Sequence, residues 1–156
     1  MKALLTLLAG TLLTAQAGAA PAAGEPRQIA SRWYDAFARH DADLLDTILA
    51  PNWVDLPSPP TAPHGPAAAR EAMAMLFGAF PDFDIRIEDI IQEGNKVVVR
   101  STITGTQRGA FAGLPATGRP MTIQAVDIHE IKAGRIIRTW HTEDWMTGLR
   151  QLGHRP

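Results

Sequence analysis

Two carboxylates and an imidazole near the C-terminal end of the chain are the side chains best suited to chemistry. Asp127 and His129 alternate along one predicted strand, and Asp144 ends the next strand. If Ala133-Gly134 forms a hairpin turn, Asp127 lies opposite Trp140, and Asp144 points to the same side of the sheet. A purely structural face would not carry three ionisable groups, because removing charges from water is costly unless they are paired. A register slip of one residue would exchange the two faces.

Each of these residues also has an ordinary structural explanation. Alone, Asp144 fits a surface carboxylate at a strand end, and His129 fits a hydrogen-bond partner of Asp127 or Glu130. The four tryptophans fit core positions. His64 lies among prolines, which predicts a loop, and loops often carry functional residues. The chemical interpretation therefore depends on the two carboxylates and the imidazole sharing one face.

The composition restricts the chemistry that these groups could perform. The chain has 156 residues, no cysteine, and 15 basic against 16 acidic residues, for a net charge of −1. The absence of cysteine excludes thiolate zinc sites and cysteine nucleophiles. The near-neutral charge argues against a nucleic-acid partner, and the sequence has neither a glycine-rich phosphate loop nor a Gly-x-Ser-x-Gly motif. No two histidines have the spacing of metal ligands, so we expect no metal site.

Three helices and one short strand, followed by four long antiparallel strands, are predicted to position the site. Apolar residues at helical spacing begin the first helix near Arg27, and Asp41 caps the second. The third helix begins at Pro66 and stops at Pro81. Alternating apolar residues predict strands over 52–56, 83–91, 96–106, 119–132 and 135–144. This order indicates an α+β domain, in which three N-terminal helices pack on a curved antiparallel sheet and enclose a cone-shaped hollow.

The N-terminal segment has the pattern of a secretory signal peptide. Lys2 precedes an apolar run of about eleven residues, which is too short for the ~20 residues of a membrane-spanning helix. Small residues suited to cleavage follow, at Ala15-Gln16-Ala17 and Ala17-Gly18-Ala19. We therefore expect a signal peptide over 1–19, a linker over 20–26 and one domain over 27–153. The mature protein is expected to be secreted or periplasmic and free of the membrane.

Several short motifs follow one another at characteristic spacing along most of the chain. They include Ala79-Phe80-Pro81-Asp82-Phe83, Gly113-Leu114-Pro115-Ala116-Thr117-Gly118, Asp127-Ile128-His129-Glu130-Ile131 and Trp140-His141-Thr142-Glu143-Asp144-Trp145. Each motif is weak alone, but their order resembles the SnoaL-like polyketide (ester) cyclases, from about Ile29 to Gly153. The resemblance implies the nuclear-transport-factor-2-like cone fold. It also implies aldol-type ring closure of polyketide esters, without metal or cofactor.

The resemblance further implies an acid/base aspartate near the end of the last strand and a helper histidine on the preceding strand. Asp144 and His129 match these positions. We therefore expect a cofactor-independent general acid/base enzyme acting on a small hydrophobic carbonyl-containing ligand, with Asp144 as the base. His129 is expected to donate a hydrogen bond to the developing oxyanion, and Asp127 to orient His129 or fix its tautomer.

Further side chains are expected to bind the substrate. Trp140, Trp53 and Phe111 would form apolar walls, and we expect Tyr34 and His64 to contact the substrate as well. Two other functions would use the same hollow: an exported, non-catalytic binder of a small apolar ligand, and an isomerase or hydrolase on the same fold. The mixed polar and apolar outer face of the sheet permits a homodimer.

Overall fold

Four helices and five strands make up the computed structural model, which describes residues 25–154. The predicted signal peptide and most of the predicted linker lie outside the described residues. The helices are α1 (Pro26–Ala38), α2 (Ala42–Ile48), α3 (Gly65–Ala79) and α4 (Trp145–Gln151). The strands are β1 (Leu49–Leu56), β2 (Asp84–Glu93), β3 (Lys96–Thr106), β4 (Pro120–Lys132) and β5 (Arg135–Glu143).

The strands form one sheet in the order β1-β5-β4-β3-β2. Strands β2 to β5 form an antiparallel meander, while β1 pairs in parallel with β5. Helices α1 and α2 come before β1 in the sequence, and α3 lies between β1 and β2. Together these three helices cover one face of the curved sheet. The prediction of an α+β domain with N-terminal helices on a curved sheet is confirmed. Among the described residues, no helix is both long enough and apolar enough to cross a membrane.

The covered face of the sheet carries the hydrophobic core. Trp33 and Phe37 of α1 pack into it, because apolar residues recur every helical turn on that side of the helix. Asp41 caps α2 as predicted, by accepting hydrogen bonds from the backbone N–H groups of Asp43 and Leu44. These helices close the concave side of the sheet and leave a hollow beneath them.

The register of the hairpin between β4 and β5 differs from the predicted one beyond the turn. Lys132 pairs with Arg135 as predicted, but a β-bulge then places Glu130 opposite Arg138 and leaves Ile137 as an extra residue in β5. A bulge inserts one residue into one strand of an antiparallel pair. Because side chains alternate between faces, this single residue reverses the face of every later position in β5.

The bulge changes which side chains of β5 share a face with Asp127. Asp127 lies opposite His141, so the predicted pairing with Trp140 is wrong. By alternation, Glu143 points to the same face as His141. β5 ends at Glu143, and Asp144 lies outside the strand. The carboxylate that accompanies Asp127 on the covered face is therefore Glu143, one residue before the predicted Asp144.

Candidate functional site

A cavity of about 330 Å³ lies between the covered face of the sheet, α1, α3 and the loops at their ends. Its walls are mainly apolar, which suits a hydrophobic ligand. Small residues of α3 leave the space open, at Ala68, Ala69 and Ala72. Aromatic rings form much of the remaining wall, from Trp33, Phe37, Trp53, Phe83, Phe111 and Trp145.

One part of the cavity wall is polar and carries four ionisable side chains. Three are carboxylates, from Asp55 of β1, Asp127 of β4 and Glu143 of β5, here called the cavity carboxylates. The fourth is His141, whose Nε2 lies 3.6 Å from Oδ1 of Asp55 and whose Nδ1 lies 3.9 Å from Oδ1 of Asp127. The imidazole is therefore placed between two acidic groups.

Asp127 is the most perturbed of the cavity carboxylates. Burial raises the pKa of Asp127 from the ordinary 3.8 to about 6. The Tyr34 hydroxyl opposes this rise by donating a 2.5 Å hydrogen bond to Oδ2 of Asp127, and His141 opposes it through its charge. Glu143 and Asp55 push the pKa of Asp127 further upward by like-charge repulsion. A carboxyl group with a pKa near 6 can exchange protons close to neutral pH.

The other two cavity carboxylates have different surroundings. Burial raises the pKa of Asp55 as well, and its Oδ1 has no hydrogen-bond partner among the described residues. Glu143 accepts a 2.6 Å hydrogen bond from the indole Nε1 of Trp145, the first residue of α4. The indole therefore fixes one oxygen of Glu143 at the cavity wall.

His129 lies behind the cavity rather than in its wall. Its side chain is fully buried, with Nε2 3.2 Å from the Tyr34 hydroxyl and Nδ1 3.0 Å from Oγ1 of Thr139. Burial lowers the pKa of His129 to about 3, with a smaller repulsion from His141. This ring is neutral at ordinary pH and does not contact the cavity. The expected hydrogen bond from His129 to a substrate oxyanion is therefore wrong for this geometry.

Asp144 does not reach the cavity and is replaced there by Glu143. Its exposed side chain caps α4, accepting a 3.0 Å hydrogen bond from the backbone N–H of Thr147. Hydrogen bonds from Thr147 lower the pKa of Asp144, opposite to the rise that a buried base would show. The expectation that Asp144 is the catalytic base is corrected for a physical reason: β5 ends one residue earlier, and the side chain turns toward solvent.

The remaining predicted binding residues are divided between the cavity and the outside. Trp53 and Phe111 line the cavity wall. Trp140 lies on the other face of the sheet, near the cationic groups of Lys96 and Arg138, because the bulge reversed its direction. His64 is exposed at the residue before α3 and does not line the cavity. Tyr34 is buried and hydrogen-bonded to Asp127, but it does not line the cavity either, so its predicted contact with substrate is wrong.

Three residues of the polar wall were missed at the sequence level. His141 and Glu143 alternate along β5, but the predicted register put both on the outer face. Asp55 alternates with Trp53 in β1, which is a signal that both share one face. Its proximity to β5 was not predictable, because β1 joins the sheet by a parallel pairing. Within residues 25–154, no group of three or more ligating side chains has the geometry to hold a metal ion.

The curved sheet, its covering helices and the enclosed cavity define the class of this protein. Its solved structural neighbours share this arrangement, which is that of the nuclear-transport-factor-2-like superfamily. The sequence model of the SnoaL-like polyketide cyclases matches residues 27–152. The chain belongs to the SnoaL-like polyketide cyclase family.

Solved structures show the same relationship at modest sequence identity. TsrD from Streptomyces laurentii is 29% identical, with a TM-score of 0.76, and the match covers 82% of this chain and 94% of TsrD. IdmH from Streptomyces antibioticus, a candidate polyketide cyclase, is 29% identical with a TM-score of 0.72, covering 83% and 99%. A candidate polyketide cyclase from Bacillus cereus is 28% identical with a TM-score of 0.68, covering 80% and 78%. Among curated proteins, no significant match is found.

Proposed function

We propose that this protein is a cofactor-independent general acid/base enzyme that removes a proton next to the carbonyl of a hydrophobic substrate. The proposal rests on the environment of Asp127. This residue has a carboxyl group with a pKa of about 6 in the wall of an apolar cavity, beside the imidazole of His141. A base with a pKa near the working pH combines a useful ionised fraction with good proton affinity.

The proposed step requires a base and a hydrogen-bond donor in one place. Asp127 accepts the proton from the carbon next to the carbonyl, and the electron pair of that C–H bond moves toward the carbonyl oxygen to form an enolate. The donor in this proposal is His141, whose Nδ1 lies 3.9 Å from Oδ1 of Asp127 and which donates an N–H hydrogen bond to the enolate oxygen. This donor takes over the role expected of His129.

In an aldol-type closure, the enolate carbon then bonds to a second carbonyl carbon of the same molecule. The electron pair of that second carbonyl moves to its oxygen, which takes up a proton to become a hydroxyl group. The protonated Asp127 is the group in the wall that can return this proton, so the enzyme ends in its starting state. The family supports ring closure as the specific reaction.

The cavity wall supports a flat, hydrophobic substrate. Trp53, Phe111 and Trp145 present rings to the cavity, and the alanines of α3 leave room opposite them. Phe111 and Trp145 pack with ring centroids 4.7 Å apart and form one continuous aromatic surface. Aromatic rings of this kind stack on planar ligands.

Proton abstraction can be tested without the natural substrate. We expect the purified protein to accelerate deuterium exchange of the protons next to the carbonyl of 2-tetralone in D₂O, followed by proton NMR. Asp127→Asn should lower this rate by about 10²–10⁴-fold. Asp144→Asn keeps the helix cap, lies outside the cavity and serves as the matched control with an unchanged rate.

Two results would contradict the proposal. Exchange by Asp127→Asn at the wild-type rate would remove Asp127 from the reaction. Binding of 2-tetralone by the wild-type protein, seen as chemical-shift changes, without any acceleration of exchange would favour the non-catalytic binder instead.

A further inference from the structure

A continuous chain of hydrogen bonds runs behind the cavity and ends on Asp127. The Trp53 indole Nε1 donates to Oγ1 of Thr139 at 3.0 Å, and that oxygen lies 3.0 Å from Nδ1 of His129. Nε2 of His129 lies 3.2 Å from the Tyr34 hydroxyl, which donates to Oδ2 of Asp127 at 2.5 Å. All five side chains are buried. They are here called the buried chain.

The residue types at the two ends of the buried chain determine which partner donates in each of its hydrogen bonds. An indole N–H can only donate, so Thr139 accepts from Trp53. At the other end an ionised carboxylate can only accept, so the single proton of the Tyr34 hydroxyl points to Asp127. Each hydrogen bond between these two ends of the buried chain must therefore have its donor on the Trp53 side and its acceptor on the Asp127 side.

This direction determines the tautomer of His129. Because the Tyr34 proton is used on Asp127, the Tyr34 oxygen can only accept from His129, which requires a hydrogen on Nε2. A neutral imidazole then has a free electron pair on Nδ1, which accepts the hydroxyl proton of Thr139. Every group within the chain donates once and accepts once along it.

Building on the base role proposed above for Asp127, we propose that the buried chain is a positioning device. It holds His129 as the neutral Nε2–H tautomer and, through Tyr34, occupies one oxygen of Asp127, so that Oδ1 is the oxygen that takes the substrate proton. Trp53, Thr139, His129 and Tyr34 are positioning residues in this assignment. His129 serves the reaction without touching the substrate.

The geometry separates the two oxygens of Asp127. Oδ2 is engaged by Tyr34, while Oδ1 lies on the side of His141, 3.9 Å from its Nδ1. The other titratable groups that face this carboxyl are Asp55 of β1 and Glu143 of β5, both of which act on it through charge. Tyr34 is the one that donates a hydrogen bond to it, so its removal should change the proton affinity of Asp127 directly.

The chain can be tested on the full-length protein without any substrate. We expect ¹⁵N NMR of the wild type to show His129 with a proton on Nε2, none on Nδ1, and no titration between about pH 5 and 9. In ¹³C NMR, Tyr34→Phe should raise the pKa of Asp127 by about 1–2, the equivalent of one hydrogen bond to a charged group.

A pair of variants at Thr139 tests whether the distant part of the chain acts on Asp127. Thr139→Val removes the hydroxyl and should raise the pKa of Asp127 by about a tenth to a third of the Tyr34→Phe effect, since hydrogen bonds in a chain strengthen one another modestly. Thr139→Ser keeps the hydroxyl and should restore the wild-type value. A purely structural role for Thr139 would alter stability without moving this titration.

The possible failures are distinct. A proton on Nδ1 of wild-type His129, or a charged His129 at neutral pH, would overturn the proposal even if no variant folds. An unchanged pKa of Asp127 in folded Tyr34→Phe would overturn it as well. If the NMR results hold but 2-tetralone binds without any acceleration of its exchange, the buried chain stands and the acid/base function fails.

Discussion

The clearest energetic prediction is that Asp127 makes the folded protein less stable as the pH rises. Its pKa is about 6 in the folded state and 3.8 ordinarily. Because the folded-state pKa is raised, the protonated carboxyl favours the folded state below about pH 4. That contribution is lost as the pH rises through about 6. At about 1.4 kcal/mol per pH unit, the gap amounts to about 3 kcal/mol.

Replacement of Asp127 by asparagine isolates this contribution. Asparagine is uncharged at every pH and has nearly the shape of the protonated carboxyl. We therefore expect the free energy of unfolding of Asp127→Asn, relative to wild type, to increase by about 2–2.5 kcal/mol between pH 4 and pH 8, since the carboxyl of the unfolded wild type is already partly ionised at pH 4. Burial lowers the pKa of His129, which gives stability the opposite pH dependence, but His129 is present in both proteins and its contribution cancels.

Urea unfolding at several pH values, followed by tryptophan fluorescence, measures this difference. Glu71→Gln removes an exposed negative charge from α3 and is the matched control, with a nearly flat difference expected. A difference for Asp127→Asn that is equally flat between pH 4 and pH 8 would refute the reasoning. It would mean that burial does not raise the pKa of Asp127, and the case for a base near neutral pH would fail with it.

Further predictions concern a cap, a glycine and the charge of the ligand. Asp144→Ala should lower Tm slightly without changing 2-tetralone exchange, since it removes only a helix cap; an unchanged Tm would contradict the capping role. Gly65→Ala should cost about 1–3 kcal/mol in urea unfolding, because φ is +78° and a Cβ would collide with the Pro51 carbonyl oxygen; wild-type stability would contradict this. By fluorescence titration, neutral 2-naphthol should bind at least about tenfold more tightly than anionic 2-naphthoate, about 1.4 kcal/mol, because no described residue lining the cavity is Lys or Arg; equal affinities would contradict the acidic wall.

The fold was largely predictable because residues close in the sequence determine where most helices and strands begin and end. Asp41 provides a side-chain cap for α2, and Pro66 lies in the first turn of α3. The long strands alternate apolar and polar residues, and the glycine turns between them fix a meander. Such signals act over a few residues and survive in any tertiary context.

The site was only partly predictable because it depends on two non-local pairings. The bulge at Ile137 changes the register of β5 against β4, and the residues around Ala133-Gly134 carry no sequence signal that predicts it. The parallel pairing of β1 with β5 brings Asp55 to the site from more than seventy positions away in the chain. Asp127 was selected correctly as facing the hollow because β4 has no irregularity between it and the core residues Ile123 and Ala125.

The contrast between Asp127 and Asp144 shows why residue type alone does not assign a catalytic role. Asp127 lies within the central strand β4 and Asp144 directly follows β5, and burial raises the pKa of Asp127, while hydrogen bonds at a helix start lower the pKa of Asp144. The first environment makes ionisation costly and yields a better proton acceptor, whereas the second makes the ionised form stable and inert. The desolvation of Asp127 that should destabilise the folded protein at high pH therefore also makes this carboxylate a better proton acceptor. Asp127→Asn removes the buried charge, so it should increase stability at high pH while removing activity.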